Sequence, residues 1–482
     1  MRRLIIMRVE SQWYSLNLDN FEEFNSDIFL MFRRTDQIIT FQTSDLIREL
    51  YSKNHKTILP NIIDLESFDK QMAQEGKEFK EYKEWKAISF LRHHKVIDSG
   101  FDLNSKNFKL FLEYLATLYL SLLEKDNSEK NRFESVEIKV NNLIYERQKK
   151  GVRINTAIAE EKCVKIEKEI YRIKNIFQLQ YGIFDPENEK QQRFYLDSKK
   201  YNVFESLLDA FKARRNEDII CKYFYELIRN KQDLESLLYT ISRWGGAQRT
   251  YPIYVGFGTI TSRIITREPS LQNLRKVNRD VIIPDPGMKL LYVDYSQFEA
   301  GILASLCNDD NMIKLYNSDI YKDLAIKVLQ DENKRDEAKI IFYRYMYGDT
   351  TLSTKVRSYF AKFTELEKFR KEVESELTSN GKIGTINGNF RSSKEDAENI
   401  WSLSHKVQST ASLIYKNALI EVYNNFFLGV DFLIPMHDGT LYQINEIGYD
   451  EVQKQIEKIY LEEFKKICPK INPRIKSNEL FQ

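Results

Sequence analysis

Three separated segments carry the residues whose types and spacing could do chemistry. In the first, PDPGMKLLYVDYSQFEAGILASL, a Pro-Gly turn leads into an apolar strand over Leu290 to Val293 that ends on Asp294. A helix follows with Phe298, Ile302 and Leu306 on its buried side. A carboxylate at a strand end sits at an exposed edge where a metal ion can reach it; a helix-capping aspartate is the alternative reading. In the second, KRDEAKIIFYRYMYG, the residues Arg335, Lys339, Tyr343 and Tyr347 recur every four positions and Gly348 ends the helix. Each step of four drifts by only about 40° around a helix, so these side chains form one slowly winding stripe. Two cations followed by two aromatics could hold a triphosphate and then stack on a base; a solvated face with amphipathic tyrosines is the alternative. In the third, DFLIPMHDGTLYQI, two apolar runs meet at His437, Asp438 and Gly439. Asp-Gly is a strong hairpin signal, which makes Asp438 a turn residue and His437 a polar rim residue. A hairpin tip is also a rigid place from which to present a metal-binding carboxylate to a second one elsewhere.

The elements that must position these groups read as mixed helix and strand. The first 60 residues or so give short strands, LIIMRV, IFLMF and QIITF, and then a helical stretch, SDLIRELYSKN, which together predict a small α+β unit. FKLFLEYLATLYLSLLEK is strongly helical, and the charged EKDNSEKNRFE after it is the best linker candidate, with a boundary near residue 130. Val136, Val140, Leu143 and Ile144 share a helical face that should end at Gly151. Asn155 can cap a second helix, in which Cys163, Ile166, Ile170, Ile173 and Phe177 form a core stripe running to Gly182.

Composition excludes several classes. Of 482 residues 42% are hydrophobic and 30% charged, with 17 glycines and 9 prolines, so low-complexity and wholly disordered chains are out. The 73 basic residues nearly cancel the 71 acidic ones, so a basic surface has to be sought locally, as in the stretch from Arg263 to Asp280. The 4 cysteines form no CxxC pair, which argues against a zinc module or a disulfide framework. No run approaches the roughly 20 apolar residues of a membrane span, and the N-terminal apolar run is too short for a signal peptide. A cytoplasmic location without membrane contact is expected.

In this order, DYSQ-x-E, R-x3-K-x3-Y-x3-YG and HD on a hairpin resemble the three motifs of family A DNA polymerases. TSRIITREPSLQN looks like the family's TGR…PNLQN segment and VQSTAS like its QGTAA segment, and the likeness covers roughly residues 136–482. The resemblance implies an α/β (α+β) right-hand polymerase fold. Its antiparallel-sheet palm would span 251–307 and 396–482, its helical thumb 131–250 and its compact fingers 308–395, with a small N-terminal α+β domain over 1–130. Carried over by motif, Asp294 and Asp438 would be the ligands of two Mg2+ ions and Lys339 would join them in catalysis. Arg335 and Lys339 would bind the triphosphate, Tyr343 would pack on sugar and base, and Tyr347 would guard the templating position. Glu299 would be the gate against a ribose 2′-OH, and Gln297 would also contact substrate. Arg263, Gln272, Asn273, Gln408 and His437 would contact DNA. The implied partners are primer-template DNA and dNTPs, with any processivity partner unspecified.

Departures from the family pattern are Gly301, Tyr321, Gly439, Ile400 and Ser404, which stand where the family has Arg, His, Glu, Arg and Asn. They imply a weaker grip on triphosphate and template, with Gly439 expected to tolerate Glu and the Tyr343 hydroxyl able to bond Glu299. The short motif spacing and the Lys-, Asn- and Ile-rich composition resemble polymerases of phages or mobile elements, acting at the nucleoid of a bacterial host. The N-terminal region resembles a remnant of the proofreading domain. Its Asp64 and Glu66 lie too late in the unit and lack a Tyr-x3-Asp partner, so a surface or capping pair and no proofreading are expected. The rival readings are a single-subunit RNA polymerase-like enzyme, against which Glu299 argues, and a catalytically weakened nucleic-acid-binding remnant.

Overall fold

The structure, a computed structural model, describes residues 2–479 apart from 11, 21, 26–32, 34, 54–60, 74–90, 93–94, 96, 98–106, 202–205, 243–247, 394–399 and 427. The IFLMF segment expected as a strand lies outside the described residues. Two compact units are present: one of residues 1–150, 254–265 and 287–479, the other of residues 151–253, 266–286 and 480–482.

The first unit holds two sheets. The N-terminal one has five strands in the order Glu23–Asn25, Gln12–Asn17, Arg3–Val9, Gln37–Thr40, Asn61–Asp64. Arg3–Val9 runs antiparallel to Gln12–Asn17 and parallel to Gln37–Thr40, which is parallel to Asn61–Asp64. Both faces are covered, so its strands read as near-continuous apolar runs. Leu4, Ile6, Ile38 and Ile62 belong to a core that includes Val136, Val140 and Ile144. Ile5, Met7, Ile39 and Ile63 point the other way, toward Phe111, Leu115 and Leu122 of the helix Phe108–Lys125.

The charged stretch expected as a linker is instead folded and helical. Asp126 caps Asn127–Arg132 by accepting from the Ser128 and Glu129 amides, a π-helical turn follows over Phe133–Glu137, and Ile138–Lys150 completes the run. Composition misled because two of its charges, Glu129 and Arg132, have partners inside. Glu129, fully buried, accepts from Gln71 and from the Phe390 amide, while Arg132, also fully buried, donates to Glu137.

The second sheet has the order Val430–Pro435, Gly439–Asn445, Met288–Tyr295, Ile475–Asn478, all neighbours antiparallel. Leu291, Val293, Leu441 and Ile444 are buried in it, and the long helices Ser402–Asn425 and Tyr449–Ile467 pack in the same unit. The strand expected over Leu290 to Val293 is longer at both ends, so Asp294 lies within it. The helix Phe298–Cys307 starts after Gln297, whose left-handed backbone (φ 52°) ends the strand's course. Asp294 therefore is not a cap residue.

In the second unit Asn155 caps Thr156–Tyr181 by accepting from the Ile158 amide at 3.1 Å, and Gly182 closes it at φ 65°. Its buried stripe of Cys163, Ile170, Ile173 and Phe177 matches the expected periodicity, with Phe177 against Phe224 of Ile219–Ser242 at 4.4 Å between ring centroids. All four cysteines are buried and free. Among the described residues no helix is long and apolar enough to cross a membrane.

Candidate active site

The two carboxylates singled out in the sequence come together because of strand register. Asp294 lies directly opposite Gly439, and the Tyr295 amide donates to the Asp438 carbonyl at 3.1 Å, which sets Asp438 beside the end of the Asp294 strand. Thr440, the next residue, bonds both Tyr415 and Tyr460 through its hydroxyl at 2.8 Å and so braces the hairpin base from within the core. Burial, and then the Asp438 charge, pushes the Asp294 carboxyl up to about 6, opposed by a hydrogen bond from Tyr292 and by Lys339 and Lys476.

Gly439 serves close approach rather than turn conformation. The turn consists of Met436, His437 and Asp438, with the Met436 amide donating to the Gly439 carbonyl at 2.8 Å, and Gly439 is not among the glycines with positive φ. A Cβ there would fall on the Val293 carbonyl oxygen and 2.9 Å from both Asp294 Cα and Oδ1. The expectation that Glu is tolerated at this position is therefore overturned: any side chain collides with the strand that carries Asp294. Gly301 is similarly enclosed, since a Cβ would meet the Tyr316 ring at 2.7 Å.

The helix Arg335–Met346 buries Ala338, Phe342 and Met346 and presents the stripe on another face. The Arg335 guanidinium lies 5.3 Å from the Tyr321 ring centroid and bonds Asp319 at 2.8 Å, so a carboxylate already holds it. Lys339 is exposed, 6.0 Å from the Tyr321 centroid and 5.9 Å from that of Tyr343. Tyr343 and Tyr347 stack at 6.0 Å, and Gln408 donates to the Tyr347 hydroxyl at 2.6 Å. Burial raises the Tyr343 phenol far above its ordinary value, with Tyr321, Glu299 and Asp438 adding to it.

Glu299 is 3% exposed. One carboxylate oxygen pairs with Arg263, and the other has no hydrogen-bond partner. Burial pushes this carboxyl up to about 7, with Asp438 adding to the shift and Arg263 opposing it. No hydrogen bond joins it to Tyr343; that expected contact is replaced by the Arg263 pair. His437 is exposed at the hairpin tip beside Asp438.

Three expected residues make local hydrogen bonds in this structure. Gln297 accepts from the Ile320 amide at 3.0 Å and donates to the Tyr316 carbonyl at 3.4 Å, so both ends of its amide are engaged. Gln272 and Asn273 lie in the second unit, where Gln272 accepts from the Thr266 amide at 3.0 Å and Asn273 bonds Ser270 at 2.8 Å. Sequence reasoning missed Lys476, which stands opposite Asp294 on the strand Ile475–Asn478. Strand order was the missing information, since nothing in the local sequence pairs the chain's end with Asp294.

Among the described residues no group of three or more His, Cys, Asp or Glu side chains is arranged to hold a metal ion. The donor set at the site is Asp294 and Asp438. A carboxylate held above its ordinary range by burial and then by a second carboxylate fits a cation, which would relieve the repulsion.

The family model for DNA polymerase family A matches residues 143–475. DNA polymerase I of Caldicellulosiruptor bescii is 26% identical over 69% of this chain and 45% of its own length; that of Borreliella burgdorferi is 26% identical over 72% and 44%. The chain thus spans less than half the length of these relatives. The POL domain of Pol1 from M. smegmatis, solved in complex with DNA primer-template and dNTP, superposes with a TM-score of 0.79 at 15% identity, covering 98% of this chain and 94% of that one. The fold is shared with that domain, and the match over residues 143–475 carries the conclusion that the chain belongs to DNA polymerase family A.

Proposed function

We propose that this chain is a template-directed DNA polymerase that adds dNTPs to a primer 3′ end and does not proofread. The observation that carries the reading is the carboxylate pair Asp294 and Asp438 next to a helix face bearing Lys339 and Tyr343. Asp294 and Asp438 would hold two Mg2+ ions, which supply activation of the 3′-oxygen and neutralisation of triphosphate charge. Lys339, exposed and near the pair, would bind the triphosphate, and Arg335 would share its guanidinium between Asp319 and a phosphate. Tyr343 would pack against the sugar and base, with Tyr347 held by Gln408 at the templating side. Glu299 would block a 2′-OH: it is buried, and the Arg263 pair fixes its direction. Primer-template DNA and dNTPs are the partners this assigns, in line with what the M. smegmatis domain was solved with.

Absence of proofreading is supported by the N-terminal sheet. Its central strand, RLIIMRV, has no carboxylate, while Asp64 and Glu66 are engaged by Tyr145 and Lys70. Primer extension with Mg2+ tests the whole reading, with dNTPs and rNTPs compared side by side. Extension with dNTPs only is expected. Equal use of rNTPs would favour the RNA polymerase-like reading, and no extension would favour a binding remnant.

A further inference from the structure

By resemblance Arg263 would contact DNA, and it pairs with Glu299, but what holds it in place is a set of buried groups that no motif contains. The loop that presents it is tight: the Ser262 amide donates to the Thr259 carbonyl at 2.8 Å, and the Gly258 amide to the Arg263 carbonyl at 2.9 Å. Ser262 itself is fully buried and sits in the left-handed region at φ 59°, where a residue with a side chain is strained. The family's segment reads TGR, with glycine at this place, and glycine would relieve that strain.

The serine is retained in this conformation by its hydroxyl. Ser262 Oγ accepts from Arg132 Nη2 at 2.8 Å and donates to Ser412 Oγ at 2.9 Å, and Ser412 Oγ donates back to the Ser262 carbonyl at 2.8 Å. Donors and acceptors balance, since each hydroxyl gives its one proton. Arg132 is locked in turn: its Nε donates to Glu137 at 3.0 Å and its Nη1 to the Asn387 carbonyl at 3.0 Å, and Glu137 takes its second bond from the buried Lys416 at 2.5 Å. A buried ion cluster with satisfied partners is rigid, because losing an ionic bond leaves a charge uncompensated and losing a bond to a neutral partner leaves a buried donor unsatisfied. The result is a chain of fixed atoms that ends one residue before Arg263, whose guanidinium then reaches Glu299.

We propose that the Arg132–Ser262–Ser412 hydrogen bonds form a clamp that positions Arg263 against Glu299, so that Ser262 and Ser412 are positioning residues for nucleotide addition and pair discrimination. This rests on the polymerase reading, in which Arg263 would contact DNA.

The test is the Ser262→Gly, Ser412→Ala double variant, which removes both hydroxyls without burying a larger group and relieves the strained backbone, so folding is expected to be kept. Two readouts separate the clamp from the function. Hydrogen exchange at the Ser262 and Arg263 amides should rise tenfold or more; unchanged protection would show that the hydroxyls do not clamp the loop, whether or not the chain polymerises. In single-nucleotide addition, kcat should fall several-fold with primer-template affinity unchanged, and the ratio of mismatched to matched primer-end extension should rise about fivefold. Both effects should vanish when the variant is placed on Arg263→Ala. An effect of equal size on that background would mean a general loss of structure and would overturn the positioning role, as would a kinetic change below twofold beside a strongly impaired Arg263→Ala.

Discussion

The two sheets of the first unit treat their carboxylates in opposite ways. In the N-terminal sheet Asp64 ends its strand with both oxygens committed, one to the Ser67 amide at 3.1 Å and one to the Tyr145 hydroxyl at 3.1 Å, while Glu66 is paired with Lys70 at 2.5 Å. In the other sheet Asp294 is pushed up by burial and by a second carboxylate rather than satisfied by cations. A carboxylate whose lone pairs are consumed by the fold contributes stability; one left facing another carboxylate costs stability and is available for chemistry. The same residue type thus serves as a cap in one sheet and, on the proposed reading, as a metal ligand in the other.

The comparison breaks first at the reaction centre. On the proposed reading, Asp294→Asn or Asp438→Asn should lower nucleotide addition a thousandfold or more, about 4 kcal/mol, with primer-template affinity kept, because a metal ligand would be lost and no phosphate contact would. Near-wild-type extension by either variant would remove the assignment. Asp294→Asn should also stabilise the metal-free protein. Its folded pKa of about 6 exceeds the ordinary 3.8, so its favourable contribution is present below 3.8 and lost as pH rises through 6. Above that, the penalty is roughly 3 kcal/mol at 1.4 kcal/mol per unit. A denaturant midpoint at pH 8 that falls in the variant would contradict this.

Gly439 comes next. Because a Cβ would collide with the Val293 carbonyl and with Asp294, Gly439→Ala and Gly439→Glu should both separate the two strands. Overpacking of this kind costs about 1–3 kcal/mol. Addition should fall about tenfold to a hundredfold, since the carboxylate pair is set by that register. An active, equally stable Gly439→Glu would show that the strands part freely there.

Tyr343 gives a smaller and selective effect. By resemblance, a tyrosine here lets family members accept chain-terminating dideoxynucleotides, its hydroxyl substituting for the missing 3′-OH. No bond to Glu299 occupies that hydroxyl, so Tyr343→Phe should lose ddNTP use about tenfold, 1.4 kcal/mol, with dNTP addition largely kept. Equal ddNTP-to-dNTP ratios in both proteins would place Tyr343 away from the sugar.

What the sequence made legible follows the range of the interactions involved. The stripe Arg335, Lys339, Tyr343, Tyr347, the Asn155 cap and the Gly182 stop depend on neighbours a turn away, and each appears in the structure where periodicity put it. Motif order was enough to bring Asp294 and Asp438 into one site. Contacts set by strand register were hidden: the collision at Gly439, the neighbouring Lys476, and the capture of Glu299 by Arg263 in place of Tyr343. Charge composition also misled where charges pair inside, as with Glu129 and Arg132 in the stretch expected as a linker.

The smallest expected effect sharpens the comparison from the other side. Asp64→Ala removes a carboxylate that, in a proofreading domain, would be a metal ligand, yet here it should leave nucleotide addition within twofold and abolish no nuclease. What it should cost is stability. The helix Leu65–Ala73 loses the side-chain acceptor for its Ser67 amide, worth about 1 kcal/mol, and the buried Tyr145 hydroxyl loses the partner it donates to. Burial, the largest cause that raises the pKa of that phenol and one the variant keeps, holds it in its protonated form. The sum is about 1–3 kcal/mol, read as a shift in denaturant midpoint. Asp64→Asn should recover most of it, since an amide oxygen can still accept from Ser67 or Tyr145 although it carries no charge for a metal. Mg2+-dependent removal of a mismatched primer end by the wild type, lost in Asp64→Asn while stability stays, would mean that the first sheet is also a reaction centre and that the contrast between the two sheets is false.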